Sequence, residues 1–267
     1  MFAKVEQWPV DRACAAAILP DGSVHRHGDE THEYRLASVS KLMTAWAALV
    51  AVEDGSLDLD APLDEGGSLR HLLAHAGGYG FDGERPVGSP GRRRVYSNTG
   101  YDRIAALVEN AAGMPFPTYL DEAVFQPLGM DGAELRGSAA RDVHATLDDV
   151  IRFADELRRP RLLARGTVAD AISPQFGELD GTVPGIGPFS PCPWGLGPEL
   201  HGDKYPHWMP ERASRSTFGH FGGTGTFIWV DPVADVACLA LTDREFGPWA
   251  LEAWPAFGAV VLAAARP

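Results

Sequence analysis

The sequence contains little cysteine. The three cysteines among 267 residues are an odd number, and none has a neighbour at the spacing of a metal ligand. Two of them lie in or near apolar stretches that have the character of buried strands. We therefore expect Cys14, Cys192 and Cys238 to be reduced residues of the interior.

Patterns for metals and nucleotides are also missing. His25, His27 and His32 lie close together, but they lack cysteine partners and the His-Glu-x-x-His spacing, so an exposed hairpin explains them better. The glycine-rich segment 77–80 does not follow a strand in a βαβ unit, which argues against a nucleotide fingerprint. We expect a protein that uses neither a metal nor another cofactor.

Positive charge is scarce. Lysine and arginine number 23 against 36 acidic residues, for a formal net charge of -13, which argues against a nucleic-acid partner. No apolar run approaches the roughly 20 residues of a membrane helix, and the N-terminus lacks a charged region followed by an apolar one. We expect a cytoplasmic protein that binds a small molecule and no membrane; its oligomeric state stays open.

Both ends of the chain predict strands. The apolar run 12–19, a turn and the alternating segment 23–27 predict a β-hairpin. Further strands are predicted at 226–230 and 236–242, followed by a helix at 248–265. Strands at both ends predict one sheet assembled from both termini. We assign residues 1–63 and 201–267 to this discontinuous sheet domain.

The middle of the chain predicts helices. The segment 38–54 is almost continuously apolar after Lys41 and precedes a glycine, which is typical of a helix buried on most sides. Between loops rich in glycine and proline, further helices are predicted near 99–111, 116–127 and 147–158. We interpret residues 64–200 as a helical insertion.

Ser38 and Lys41 form a Ser-x-x-Lys pattern at the start of the apolar helix. Residues i and i+3 share a helix face, so the hydroxyl can meet the amine. A serine needs such a base to become nucleophilic, and burial favours the neutral amine that can serve as one. The alternative is a surface helix with an N-cap serine, but a structural cation in the most apolar helix would be costly.

Tyr96, Ser97 and Asn98 precede the next predicted helix. A phenol whose pKa is lowered by a lysine ammonium can shuttle protons, and an asparagine amide can orient a substrate carbonyl. By itself the triplet is better explained as an N-cap with an aromatic packing residue.

The segment 218–225 is rich in glycine and precedes a predicted strand. Glycines in a strand pattern are typical of a ligand that approaches the backbone closely, and an exposed N–H there can form half of an oxyanion hole. A glycine-rich bulge explains the segment about equally well.

Taken together, these three elements resemble the serine β-lactamase and penicillin-binding-protein superfamily, particularly class C β-lactamases and related esterases and DD-peptidases. That family carries Ser-x-x-Lys, Tyr-x-Asn and Lys-Thr-Gly or His-x-Gly in this order. The segments 72–78 (LLAHAGG) and 127–130 (PLGM) resemble two further family motifs. The resemblance implies an α+β fold, with a mostly antiparallel sheet, flanking helices and an inserted helical domain.

The resemblance also implies roles for the motif residues. Ser38 is then the acylated nucleophile and Lys41 its base, while Tyr96 returns the proton to the leaving group and Asn98 contacts the substrate. The base in each half-reaction stays open between Lys41 and Tyr96.

The third motif departs from the family pattern. His220 stands where lysine is common, and Phe221 where a hydroxyl residue is common; both changes weaken the grip on a substrate carboxylate, because histidine is mostly neutral near pH 7. Gly222 and Gly223 follow at substrate-binding positions. The resemblance implies an oxyanion hole made by the N–H groups of Ser38 and Gly223.

The sequence therefore predicts a serine hydrolase that forms an acyl-enzyme and acts on small esters or amides. One alternative is a β-lactamase or DD-peptidase on the same fold. A second is a non-catalytic module that keeps the cleft as a binding site. The physiological substrate depends on loops whose shapes the sequence does not give.

Overall fold

The computed structural model describes residues 1–265 and has an α+β fold. Its strands are β1 (Ala13–Ile18), β2 (Val24–His27), β3 (Tyr34–Arg35), β4 (Glu134–Leu135), β5 (Val143–Ala145), β6 (Gly181–Val183), β7 (Gly187–Phe189), β8 (Glu199–Leu200), β9 (Phe218–Gly222), β10 (Thr226–Asp231) and β11 (Val236–Thr242). The main sheet has the order β2-β1-β11-β10-β9-β8, and every neighbouring pair is antiparallel. Two small sheets, β3-β5-β4 and β6-β7, lie outside it.

The described residues also form helices, some of which pack on the main sheet. They are α1 (Ser40–Glu53), α2 (Leu69–Leu73), α3 (Asn98–Ala112), α4 (Phe116–Leu120), α5 (Gln126–Leu128), α6 (Leu147–Arg158), α7 (Arg165–Ala171) and α8 (Pro248–Ala264). Short 3-10 turns occupy Phe2–Gln7 and Ala37–Val39, and a π turn occupies Asp121–Phe125.

Strand β1 is buried on both faces. Cys14, Ala16 and Ile18 pack in the layer that contains α1 and α6. Ala15 and Ala17 pack in the layer that contains α8. Because successive side chains of a strand point to opposite faces, helices on both sides of the sheet require the continuous apolar run seen in the sequence.

Helix α1 runs through the centre of the larger core. Every side chain from residue 40 to residue 49 is buried, so the apolar run is explained by contact with neighbours on all sides. The helix ends at Glu53, and two residues later Gly55 adopts φ +81°. Glycine takes this left-handed conformation without the steric cost that other residues meet.

The predicted fold class is confirmed, and two helix boundaries differ from the prediction. Helix α1 begins at Ser40 because residues 37–39 form a 3-10 turn. The helix predicted at 116–127 is divided into α4, a π turn and α5. Pro127 has no N–H to donate to the carbonyl of Ala123 four residues earlier, which interrupts the regular α pattern.

Two elements of the segment 64–200 belong spatially to the main sheet. Helix α6 packs against β1, β10 and β11, and β8 pairs with β9. Residues 64–200 therefore do not all form a helical layer separate from the main sheet. The division into a sheet domain and an insertion domain stays a prediction.

All three cysteines are free and buried, as expected. Burial raises the pKa of the Cys14 thiol to about 12, so this thiol is unreactive. Within residues 1–265, no helix combines the length and the apolar character needed to cross a membrane.

Candidate active site

Ser38 lies in the 3-10 turn between β3 and α1. The preceding Ala37 has φ +46°, a left-handed conformation that costs a non-glycine residue about 1–3 kcal/mol. Neighbouring contacts hold it there, because the Leu36 N–H donates to the Val143 carbonyl at 2.9 Å and the Leu36 carbonyl accepts from the Val39 N–H at 3.2 Å. The half-buried Ser38 side chain is thus presented from a tightly held turn.

Lys41 lies one helical turn after Ser38 and is fully buried. Its Nζ donates to Asn98 Oδ1 at 2.7 Å and to the Ala140 carbonyl at 2.9 Å, and it lies 3.3 Å from Ser38 Oγ. Burial lowers the pKa of Lys41 to about 7, and the negative charge of Asp102 opposes this only in part. A neutral amine has two protons for the two acceptors, which leaves its lone pair facing Ser38.

Tyr96 and Asn98 come from the start of α3. The Ser97 side chain caps this helix by accepting from the Gly100 N–H at 2.9 Å. The cap therefore exists, as the simpler interpretation of the triplet predicted, and it also brings the Asn98 amide to Lys41. The Tyr96 ring lies beside the same amine, with Lys41 Nζ 4.8 Å from the ring centroid.

The expected lowering of the Tyr96 pKa is wrong. Burial raises the pKa of the Tyr96 phenol well above its ordinary value, and the hydroxyl of Ser38 opposes this only in part. Lys41 does not outweigh burial, because its own ammonium form is also disfavoured. At neutral pH Tyr96 is therefore a protonated phenol that can donate a proton.

His220 lies on β9 and is buried. Its Nδ1 lies 2.7 Å from the Phe221 carbonyl, which can only accept, so Nδ1 carries the proton. Nε2 is then an acceptor, 3.4 Å from the Tyr96 hydroxyl. Burial and the charge of Lys41 lower the pKa of His220 to about 3, so the imidazole is neutral at ordinary pH.

Phe221 does not line the cleft as the motif comparison implied. Its ring is 8% exposed and packs on Phe246 and Trp208, with centroids 4.5 and 5.5 Å away. These rings belong to the apolar layer that contains α8. Side chains of successive strand residues point to opposite faces of the sheet. Because the His220 side chain points toward Tyr96, the Phe221 side chain must point toward α8.

The glycine-rich segment connects β9 to the turn that carries Ser38. Thr224 Oγ1 donates to the Arg35 carbonyl at 2.7 Å, and Thr226 Oγ1 donates to the Leu36 carbonyl at 2.8 Å. Gly222 packs against this turn so closely that a Cβ would collide with the Leu36 carbonyl. Gly223 is exposed, and a Cβ there would meet no atom within 4 Å.

This difference predicts that alanine destabilises the protein at Gly222 but not at Gly223. Gly222→Ala should lower the free energy of unfolding by about 1–3 kcal/mol, because the new methyl group forces the two segments apart. Gly223→Ala should change it by less than about 0.5 kcal/mol. Urea unfolding of both variants measures the difference, and equal stability of the two would contradict the close packing of Gly222.

Sequence reasoning missed Trp194. Its ring lies near the rings of Tyr96 and His220, with centroids 5.9 and 5.7 Å away. The residue follows a proline in an irregular segment, so neither periodicity nor a motif marks it. Trp194 forms an apolar wall beside both side chains.

A buried charged cluster lies behind Trp194. The Glu199 carboxylate accepts from Lys204 Nζ at 2.6 Å, from His207 Nε2 at 2.8 Å and from the Trp208 indole at 2.8 Å. These contacts keep the Glu199 pKa below its usual range although burial alone would raise it. The partners satisfy the carboxylate, which a buried charge requires.

A family profile described as Beta-lactamase matches residues 3–263. The chain belongs to the β-lactamase family. A crystal structure of a beta-lactamase from Mycobacterium bovis is 45% identical, covers 98% of each chain and has a TM-score of 0.96. Simvastatin synthase from Aspergillus terreus, 18% identical over 98% of this chain and 92% of its own, shares the fold with a TM-score of 0.79.

Curated relatives match this β-lactamase family chain over a shorter length. Penicillin-binding protein 4* of Bacillus subtilis is 27% identical over 37% of this chain and 29% of its own. A Salmonella enteritidis protein, provisionally named a D-alanyl-D-alanine carboxypeptidase, is 27% identical over 60% of this chain and 47% of its own. The chain thus spans half or less of the length of these relatives.

Proposed function

We propose that this member of the β-lactamase family is a serine hydrolase that forms an acyl-enzyme on Ser38 and cleaves small neutral esters or amides. The observation that carries the proposal is the environment of Lys41. Its amine is fully buried, has a pKa lowered to about 7, and faces Ser38 Oγ at 3.3 Å. A buried lysine of this kind serves as a general base at neutral pH.

In the acylation step, Ser38 Oγ attacks the substrate carbonyl and its proton passes to the neutral Lys41 amine. As the bond to the leaving group breaks, Tyr96 gives its phenolic proton to the leaving oxygen or nitrogen and takes the proton held by Lys41. This transfer avoids a free tyrosinate, which burial disfavours. The step ends with the acyl-enzyme, a neutral lysine and a protonated tyrosine.

The deacylation step runs through the same groups. A water molecule attacks the acyl carbonyl and gives its proton to the neutral Lys41 amine, and this proton passes to Ser38 Oγ as the ester bond to Ser38 breaks. The N–H groups of Ser38 and Gly223 are our candidates for the oxyanion hole. Gly223 supports this role because it is exposed and directly follows Gly222, which packs against the turn that carries Ser38.

The neutral His220 supports an uncharged substrate. Its pKa of about 3 means that no cation stands at this position between pH 5 and 9. Phe221, packed under α8, offers no hydroxyl either. A substrate carboxylate would therefore lose water at this position without gaining an ionic partner.

Phe81 supports an apolar group on the substrate. Its side chain is 52% exposed and lies against the Tyr96 ring, with centroids 5.9 Å apart. The Phe81 carbonyl accepts from the Asn98 N–H at 2.8 Å, and the preceding Gly80 carbonyl accepts from Ser97 Oγ at 2.7 Å. An exposed ring held in this way provides an apolar rim for an acyl chain.

A lysine at position 220 tests the carboxylate argument. His220→Lys should raise kcat/KM for a carboxylate-bearing ester, relative to its neutral analogue, by about tenfold, because one charge-assisted contact is worth about 1.5–3 kcal/mol. His220→Gln is the neutral control and should leave the ratio unchanged. An unchanged ratio in a folded His220→Lys protein would locate carboxylate recognition elsewhere.

Acidifying the wild type does not replace this experiment. Lower pH would narrow the gap between the two substrates only if it charged His220. With a His220 pKa of about 3, the imidazole stays neutral down to pH 5, so the substrate ratio of the wild type should be constant from pH 5 to 8.

The 45% identity with a chain named a beta-lactamase favours β-lactam hydrolysis as the second candidate function. Intact-mass spectra after incubation with a short-chain aryl ester and with a chromogenic cephalosporin separate the two. We expect a faster turnover of the ester and a slow or stable cephalosporin adduct. Faster turnover of the cephalosporin would make the protein a β-lactamase, and failure of a fluorophosphonate to label Ser38 would favour a non-catalytic binding module.

A further inference from the structure

His75 is a buried histidine of the segment 72–78 that the proposed chemistry does not use. It is 1% exposed and adopts φ +54°, a left-handed conformation that is uncommon for residues other than glycine. A buried titratable side chain on a strained backbone requires strong local contacts. Several of those contacts are made with the segment that carries Tyr96.

Two hydrogen bonds attach both chain neighbours of Tyr96 to this one residue. The Val95 N–H donates to the His75 carbonyl at 2.8 Å, and the Ser97 N–H donates to His75 Nδ1 at 3.1 Å. The imidazole ring also stacks on the Tyr96 ring, with centroids 4.4 Å apart and planes inclined by 33°. The single residue His75 therefore contacts the backbone on both sides of Tyr96 and the Tyr96 ring.

We propose that His75 is a positioning residue for the reaction, which holds the Tyr96 phenol in line with the leaving group. This inference rests on the proposed role of Tyr96 as proton donor. His75 does not touch the reacting atoms; it acts through Tyr96. The strained backbone of His75 is what brings its carbonyl and its Nδ1 to residues on both sides of Tyr96.

The imidazole must be neutral for this role. Nδ1 accepts a backbone N–H, so the proton of the neutral ring is on Nε2. Burial, with the charge of Lys41 as the next cause, lowers the His75 pKa well below its ordinary value. Within residues 1–265 Nε2 has no hydrogen-bond partner, and the ring packs edge-on to Trp194 with centroids 4.9 Å apart.

The test uses two esters with the same acyl group, one with a p-nitrophenyl and one with an alkyl leaving group. Nitrophenolate leaves without a proton, whereas an alkoxide needs one. Tyr96→Phe should therefore lower the alkyl rate relative to the nitrophenyl rate by about a hundredfold, the scale of a lost general acid. This first measurement tests the proposed function separately from His75.

His75→Ala should lower the same ratio by about tenfold, because it releases the Tyr96 segment while leaving its phenol present. His75→Asn should restore most of the ratio, since asparagine tolerates positive φ and its Oδ1 can accept the Ser97 N–H. His71→Ala is the control and should keep the wild-type ratio, because His71 lies one residue before this segment and its ring packs on Phe176. In the double variant of His75→Ala with Tyr96→Phe, the ratio should equal that of Tyr96→Phe alone.

Each contrary outcome has a definite meaning. If Tyr96→Phe lowers both esters equally, the proton-donor role fails and the inference fails with it. Suppose that Tyr96→Phe behaves as expected. His75 is then only structural if His75→Ala lowers the rates of both esters equally. The same conclusion holds if the double variant lowers the ratio by the product of the two single effects. If His75→Ala is too unstable to assay, His75→Gln replaces it, because the longer glutamine side chain cannot accept the Ser97 N–H in the same geometry. We expect a lowered ratio of alkyl to nitrophenyl rates in this variant. A wild-type ratio would overturn the inference.

Discussion

Ser38→Ala is expected to abolish turnover of every ester and to prevent the mass increase of an acyl adduct. The substitution removes the oxygen that would form the covalent bond, which is the hydroxyl oxygen 3.3 Å from the Lys41 amine. The fold should survive, because the loss of one half-buried hydroxyl costs about 1 kcal/mol at most. Quenched assays with intact-mass spectrometry measure turnover and the acyl adduct. A urea unfolding curve measures the stability of the variant.

Ser40→Ala is the matched control. Its hydroxyl lies one residue beyond the turn of Ser38 and accepts from the Val143 N–H at 3.1 Å. The variant should lose about 1–3 kcal/mol of stability, because a buried donor is left unpaired, and yet should keep the acyl adduct. Activity near the wild-type level in Ser38→Ala, or loss of the adduct in Ser40→Ala alone, would disprove the assignment of the nucleophile.

Replacement of Lys41 should have the next largest effect. In the wild type, acylation should rise between pH 5.5 and 8.5 with a midpoint near 7, because the pKa of Lys41 is about 7 and only the neutral amine accepts the proton of Ser38. Lys41→Ala should slow acylation at least about a hundredfold and remove this pH dependence. Single-turnover rates of a p-nitrophenyl ester across this range give the profile.

Thr44→Val provides the control for the local packing. Thr44 lies one turn beyond Lys41 on the same helix face, and its hydroxyl donates to the Ala139 carbonyl at 2.7 Å, next to the carbonyl that Lys41 contacts. This variant removes a buried hydrogen bond without changing the base, so the midpoint of its pH profile should stay near that of the wild type. An unaffected acylation rate in Lys41→Ala would transfer the role of base to Tyr96.

The lowered pKa of Lys41 also predicts how stability depends on pH. The unfolded chain binds a proton at Lys41 up to its ordinary pKa of 10.5, whereas the folded protein releases it above about 7. Between these two values the unfolded state binds more protons, so this residue makes the free energy of unfolding rise with pH. The slope due to Lys41 should be missing in Lys41→Ala, as urea unfolding at pH 7 and pH 9 can measure.

The local elements were predictable because their signals lie within a few residues. The spacing of Ser38 and Lys41 places both on one helix face, and the structure has Nζ 3.3 Å from Oγ. The runs at 12–19 and 236–242 were recognised as strands because continuous apolar residues with small or β-branched side chains suit a sheet covered on both faces. The helix at 116–127 was the exception, because the effect of Pro127 on its backbone was overlooked.

Other features of the site depended on residues far apart in the chain. The Tyr96 pKa was predicted to fall, but it rises because tertiary burial outweighs the neighbouring lysine. Phe221 was placed beside the substrate, but the twofold alternation of β9 turns it toward Phe246 once His220 faces Tyr96. Trp194 carried no signal at all, since an aromatic residue in an irregular segment has no periodic neighbours.

The sequence by itself determined four strands of the main sheet (β1, β2, β10 and β11), the central helix and the order of the three motifs, because these depend on side-chain periodicity and short spacings. Only the tertiary structure decided the state of the base. Lys41 releases its proton near pH 7 because burial disfavours its charged form, and the residues it contacts in this buried position include Asn98 and Ala140, 57 and 99 residues away in sequence. The cost of desolvating a charge depends on every neighbour in space, and a linear pattern does not contain that information.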